Sequence, residues 1–303
     1  MLGAKAVARA KINLFLEVGP RRDDGYHDIR SIMQSLELSD ELYFRCTDGS
    51  DGKIVIRCND RRVPTTEGNL VWKAVEAFDA QTESMSGTGV EVLINKRIPV
   101  GAGLAGGSAD AAAALLALNY IHELDIPMEL LSDIGARVGS DVPFCIRGGT
   151  ALVSGRGEKV EPLEALPPYQ VVLASTGEEV STRDVYERYD LLEAETKPKQ
   201  EEMEGAFGAL INGIRDRDFE AIYTNLRNSL ESATIATGQV EGYKDVARGA
   251  GASAALMTGS GPTVFALVSG MEQAAEVAWE LEKAAPITIV TSFAASGAEI
   301  SAV

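Results

Sequence analysis

The stretch Pro99-Val-Gly101-Ala-Gly103-Leu-Ala-Gly106-Gly107-Ser108-Ala-Asp110, which runs into an alanine and leucine run, has the composition of an anion site. Glycines at 101, 103, 106 and 107 let the backbone take conformations closed to residues with a Cβ, so several amides can face one centre. A helix then starts, with N–H groups that lack intrahelical partners and a dipole that adds positive charge, and phosphate is the natural occupant. Gly101, Gly103 and Gly106 form a GxGxxG, but Lys96-Arg97-Ile98-Pro99 separates it from the preceding strand. The residues after it read as two helices, which argues against a dinucleotide fold. No Gly-Lys-Ser/Thr and no VAIK-like strand follows, so it is neither a Walker A loop nor a protein-kinase glycine loop. A glycine-rich connection packed for space is the plain alternative.

Three further places carry groups fit for chemistry. Lys11 and Asn13 project from the same face of a strand whose opposite face is apolar, although a lysine there is ordinarily solvated. Tyr26 and His27 stand in a turn dense in glycine, proline and aspartate, and offer a stacking face beside a hydrogen-bonding ring. Asp141, in Gly139-Ser-Asp141-Val-Pro143-Phe, lies in a turn before an apolar, strand-like stretch, where it is either a cap or a catalytic carboxylate. With only two histidines, a metal site built on imidazoles is not expected, and His122 reads as surface or packing.

The elements that must position these groups follow from periodicity. Lys5 to Val18 alternates as a strand, with Phe15 the exception to the pattern. Strands are expected over residues 29–38, 41–47 and 53–58, the last two joined as a hairpin by Asp48-Gly-Ser-Asp-Gly52, which would bring Cys46 and Cys58 onto neighbouring strands. A helix over 69–80, with Trp72 beside its apolar face as core or else as pocket wall, and a strand over 89–95 lead to the glycine loop. Helices over 108–122 and from Pro127 to near Gly139 follow. Beyond Tyr169 the spacing gives a strand over 171–175, helices over 181–195, 202–213, 217–230 and 239–249, and a strand, glycine turn and strand over 252–268. A helix over 271–284 and a strand over 287–292 come last. Strands mixed with helices suggest a ferredoxin-like α/β sandwich for this half.

A chain of 303 residues suggests two domains, each able to bury a core. The net charge of −17 argues against nucleic-acid binding and against anionic membranes. Residues 1–62 carry a net +1, so an anionic substrate is better received there and at Lys96-Arg97 than elsewhere. No run of eighteen apolar residues and no signal-peptide pattern occurs, which points to the cytoplasm. Cys46, Cys58 and Cys145 read as free thiols in a reducing compartment.

Three segments in order, Ala8-Arg-Ala-Lys11-Ile-Asn13-Leu-Phe-Leu, Pro99 to Ala112, and Met257-Thr-Gly-Ser-Gly261-Pro, resemble the three motifs of the GHMP small-molecule kinases. Asp24-Gly25-Tyr26-His27, Leu38-Ser-Asp-Glu-Leu42, Gly139 to Phe144 and Val180-Ser-Thr182-Arg-Asp-Val-Tyr186 are similar to a branch of that family whose acceptor alcohol is cytidylylated. The resemblance implies an α+β GHMP kinase fold: a ribosomal-protein-S5-like N-terminal domain, residues 1–165, and a ferredoxin-like C-terminal domain, residues 166–303, with the active site in the cleft between them. ATP would be the phosphoryl donor, lying along Pro99, Val100, Gly101, Ala102, Gly103, Leu104, Ala105, Gly106, Gly107, Ser108 and Ala109. Lys11 and Asp141 match the family's catalytic pair, while Asn13, Tyr26, His27, Asp141, Thr182 and Tyr186 match substrate contacts. Ala102 and Ala105 stand where glycine is frequent in relatives. Mg²⁺ is expected with ATP, its ligands unassigned; Ser108 is a candidate, and is otherwise the helix N-cap. The resemblance implies a small cytidylyl alcohol as partner, and neither nucleic acid nor membrane is expected.

Overall fold

The computed structural model describes residues 3–49, 52–193 and 195–302. The first half comprises β1 (Gly3–Arg21), β2 (His27–Asp48), β3 (Ile54–Cys58), α1 (Leu70–Thr82), β4 (Thr88–Asn95), α2 (Gly106–Ile121), α3 (Met128–Val138), α4 (Val142–Arg147), β5 (Thr150–Gly155) and β6 (Lys159–Pro162). The second half adds β7 (Gln170–Ser175), α5 (Thr182–Leu191), α6 (Gln200–Asp216), α7 (Phe219–Thr224), β8 (Arg227–Asn228), α8 (Thr237–Gly249), β9 (Ala254–Met257), β10 (Val264–Val268), α9 (Met271–Glu282), β11 (Ile287–Ser292) and β12 (Glu299–Ala302).

The first sheet has the order β12-β1-β2-β4-β3, with β5 and β6 continuing from β2 and β8 lying parallel to β1. The second, β11-β7-β10-β9, is antiparallel throughout, and numbering its strands by sequence gives the 4-1-3-2 order of a ferredoxin-like sandwich. Residues 166–303, expected as one domain, also supply β12, which pairs with β1 and so completes the first sheet.

Strand β1 is long because it serves three core clusters in turn, with Leu16 and Val18 in the last. Ala4, Ala6 and Ala8 pack under α2, whereas Ala10, Ile12, Leu14 and Phe15 pack against the second half. Register shifts against β2 between Arg9 and Lys11 and between Asn13 and Phe15 break the alternation, which is why Phe15 departs from it and why residues 10–16 are all buried. Helix α2 is apolar on every side, with ten buried residues, as suits a central helix whose alanines let β1 and α1 approach closely.

Several expectations are corrected. β2 and β3 do not form a hairpin: β4 inserts between them and β3 runs parallel to it, because α1 makes the crossover. Ser50 and Asp51 of the expected turn lie outside the described residues. Cys46 and Cys58 are accordingly separated by β4, and Cys46 lies instead 3.8 Å from Nε2 of the half-buried His122. Residues 142–147 are the short helix α4 and not a strand; five of its six residues are buried and give no period to read, and Pro143 fits the first turn. The helix expected over 217–230 stops at Thr224, and β8 follows. The N-cap of α2 is Ala105, not Ser108.

Beneath α2 lies a closed charge cluster. The Lys96 ammonium bridges Asp40 and Asp110, at 2.8 Å from Asp110 Oδ2, and Asp40 Oδ1 accepts the amides of Arg97 and Ile98 at 2.6 and 2.9 Å. Burial, reinforced by the Asp40 carboxylate and opposed by Lys96, raises the Asp110 carboxyl to about 8. The folded protein therefore binds a proton there that the unfolded chain releases near its ordinary value, and this contribution to stability is lost as pH rises toward 8. Asp110→Asn should gain stability relative to the parent as pH is raised from 5 to 8, checked by urea unfolding midpoints at both values.

Candidate active site

The site begins where β1 passes between the two halves. The Lys11 side chain is almost wholly buried; its Nζ donates to Asn13 Oδ1 at 2.8 Å and to the Gly103 carbonyl at 3.2 Å, and lies 3.8 Å from Asp141 Oδ2. The solvated lysine that a strand's outer face would suggest is thus absent: the covering half supplies the Gly259 turn, and a Cβ at Gly259 would stand 3.4 Å from Nζ. Asn13 is fixed in turn, donating Nδ2–H to Ser31 Oγ at 2.8 Å and its amide to Thr258 Oγ1 at 3.0 Å.

Asp141 precedes α4 in the N-cap position, but its side chain makes no capping bond. The capping alternative is therefore set aside, and the carboxylate, about 30% exposed, faces Lys11 and the cleft.

The glycine loop hangs on alternate pegs. Ala102 and Leu104 are buried in the core of the second half, while Gly101 and Gly103 turn the chain with φ of 68° and 75°. Ala105, at the other glycine-to-alanine exchange, takes φ 57° despite its Cβ. Helix α2 starts at Gly106 with no side-chain cap, so its first amides are left for a ligand. Residues 99–108 all line one cleft of about 920 Å³, whereas Ala109 is buried and does not.

The same cleft reaches the aromatic corner. Tyr26 is half exposed, with the Arg156 guanidinium 5.1 Å from its ring centre, and the next residue, His27, is buried at the start of β2. Tyr186, on α5, lies 5.2 Å from the His27 ring at an interplanar angle of 39°, and burial pushes its phenol up, so it is neutral. Thr182, in the first turn of α5, shares a hydrogen bond of 3.1 Å with Ser260. Lys11, Asn13, Tyr26, His27, Asp141, Thr182 and Tyr186 are thereby brought together.

The Lys96-Arg97 pair, expected to receive an anion, is spent internally: Lys96 on its two aspartates, Arg97 3.4 Å from Glu41. Arg21 and Arg62, within the N-terminal segment expected to favour an anion, line the cleft, as do Arg156 and Arg183, which lie outside that segment and carry no motif. Thr258 and Ser260 stand in the third of the family-like motifs, with no role attached to either from the sequence.

Residues 69–149 match the family described as GHMP kinases N terminal domain, and residues 206–287 match GHMP kinases C terminal. The chain is 46% identical over 261 residues to the 4-diphosphocytidyl-2-C-methyl-D-erythritol kinase of Exiguobacterium sibiricum, covering 86% of this chain and 87% of that one. A crystal structure of 4-(cytidine 5'-diphospho)-2C-methyl-D-erythritol kinase superposes with TM-score 0.77 at 28% identity, over 95% of this chain and 98% of the other. Homoserine kinase from Cytophaga hutchinsonii shares the fold, with TM-score 0.81 at 20% identity over 99% and 98% of the two chains.

Gly103 ties the glycine loop to the Thr258 turn: a Cβ there would lie 2.7 Å from the Thr258 carbonyl oxygen, at a φ that disfavours any side chain. Gly103→Ala should cost about 2–4 kcal/mol of stability in urea unfolding, from overpacking and a left-handed alanine. Gly107→Ala, in ordinary contact with Leu70 at 3.5 Å, should cost nothing measurable.

Proposed function

The chain belongs to the GHMP kinase family, and from that footing we propose that it transfers the γ-phosphoryl group of ATP to 4-diphosphocytidyl-2-C-methyl-D-erythritol, a kinase step of non-mevalonate isoprenoid precursor synthesis. The observation that carries this reading is the approach of Asp141 to Lys11, at 3.8 Å, in a cleft that joins the glycine loop to the Tyr26, His27 and Tyr186 corner.

Position 4 of the acceptor is already esterified to the diphosphocytidyl group, so the attacking oxygen belongs to the 2-hydroxyl region of the methylerythritol unit. An alcohol is a weak nucleophile, and phosphoryl transfer asks the protein chiefly for alignment and for positive charge near the travelling group. Amides of the glycine loop and the N-terminus of α2 hold the triphosphate. Asp141 accepts the hydroxyl proton as the new P–O bond forms. Lys11, locked by Asn13 and Gly103, stabilises charge developing on the γ-phosphate. Tyr26 and Tyr186 grip the pyrimidine with His27 beside them, and Thr182 contacts the remainder of the acceptor.

Among the described residues no group of three His, Cys, Asp or Glu could by itself hold a metal ion. Mg²⁺ keeps waters and phosphate oxygens as most of its ligands in such sites. Freed from capping α2, the Ser108 hydroxyl in the first helical turn is the oxygen that would join it. When bound, the ion would neutralise phosphate charge. No helix among the described residues is long and apolar enough to cross a membrane, and we place the activity in the cytoplasm, where ATP is available.

Asp141→Ala should lower turnover by about 10²–10⁴ while ADP affinity is retained, measured by coupled ADP release and by calorimetry. Near-parental turnover would remove Asp141 from its role. Tyr26→Ala should raise KM for the cytidylyl alcohol about tenfold with KM for ATP unchanged, since base stacking is worth about 1–3 kcal/mol; equal weakening of both would refute the clamp.

A further inference from the structure

Asp190 lies outside the residues so far given a role, yet it bridges the cleft. Its Oδ1 is 2.7 Å from His27 Nε2 and its Oδ2 is 3.6 Å from Arg21 Nη1. His27 opens β2 in the first half, while Asp190 sits in the last turn of α5 in the second. A carboxylate at the C-terminal end of a helix opposes the helix dipole, so the position is a poor one for stability alone. What it gains there is His27 and Arg21. Tyr186 stands one turn earlier on the same face of α5, with its ring against the His27 imidazole.

An ionised carboxylate only accepts hydrogen bonds, so Nε2 of His27 carries the hydrogen that it donates to Asp190. In the neutral form of the ring the lone pair is then on Nδ1. Arg21 approaches the second carboxylate oxygen from the solvent side, and Oδ1 is left to meet the imidazole. His27, Asp190 and Arg21 all line the same cleft as Tyr26 and Tyr186.

We propose that Asp190 is the positioning residue that sets the base selectivity of this cleft, by holding His27 as the tautomer whose Nδ1 accepts. An acceptor matches the exocyclic 4-amino group of a cytosine and opposes the 4-carbonyl oxygen of a uracil. A site built to hydrogen-bond one group rejects the analogue that lacks it, because a desolvated polar atom is left unpaired. The inference rests on the reading of Tyr26, His27 and Tyr186 as a pyrimidine clamp.

The test is calorimetric binding of CDP and of UDP to the full chain with ADP present at saturation, so that the glycine loop is already filled. The parent should prefer CDP. Asp190→Ala should weaken CDP about tenfold and UDP less, narrowing the preference, while Asp190→Asn, whose amide oxygen still accepts from Nε2–H, should restore most of it. Affinity for ADP, measured alone, should be the same in all variants, which separates the effect from a general loss of folding. An unchanged CDP-to-UDP ratio in Asp190→Ala, with Tyr26→Ala weakening both nucleotides, would overturn the proposal and leave the clamp standing. If Tyr26→Ala leaves CDP binding untouched, the clamp itself falls, and the selectivity argument with it.

Discussion

Burying an ammonium group is costly unless oxygen atoms replace the water it loses, and the site is organised around meeting that demand at Lys11. Its partners come from separate parts of the chain: Asn13 two residues along β1, the Gly103 carbonyl of the glycine loop, and Asp141 from the turn before α4. Asn13 extends the set to Thr258 in the second half. Satisfying one charge thus fixes the relative positions of a strand, an anion-binding loop, a carboxylate and the opposite wall of the cleft.

The contrast with Lys96 separates a reactive lysine from a structural one. Lys96 is clasped between the buried Asp40 carboxylate and the buried Asp110 carboxyl, and Asp40 is further held by two backbone amides, so the ammonium is consumed in anchoring the segment that leads into the loop. Lys11 has one carboxylate, farther away and open to the cleft. Its remaining partners are neutral oxygens. Positive potential consequently survives at Lys11 and is spent at Lys96, although both sit near the same loop.

The cleft is shaped by chain paths that cross between the halves. β1 carries residues of all three core clusters, β12 returns from the second half to pair with β1, and β8 lies parallel to it. With the halves tied in this way, the Tyr26 turn faces α5 across the cleft without either element being long. Preorganisation of this kind is what an alignment-dominated reaction requires.

Much of this was written locally. The glycine spacing between 101 and 107, the amphipathic spacing of α1, the Pro127 and Gly139 bounds of α3 and the alternation of β4 are short-range signals, and each element formed where its own residues specify it, because backbone conformation and periodicity act over a few residues. The pairing of Lys11 with Asp141 was legible through resemblance of motifs, not through spacing, since 130 residues separate them. Tertiary structure alone decided the rest. It placed β4 between β2 and β3, folded residues 142–147 into a helix too short to show a period, returned β12 to the first sheet, neutralised Lys96 and Arg97, and set Asp190 against His27. Each of these depends on which distant surfaces meet, and burial, charge pairing and strand order are properties of that meeting and not of any one segment.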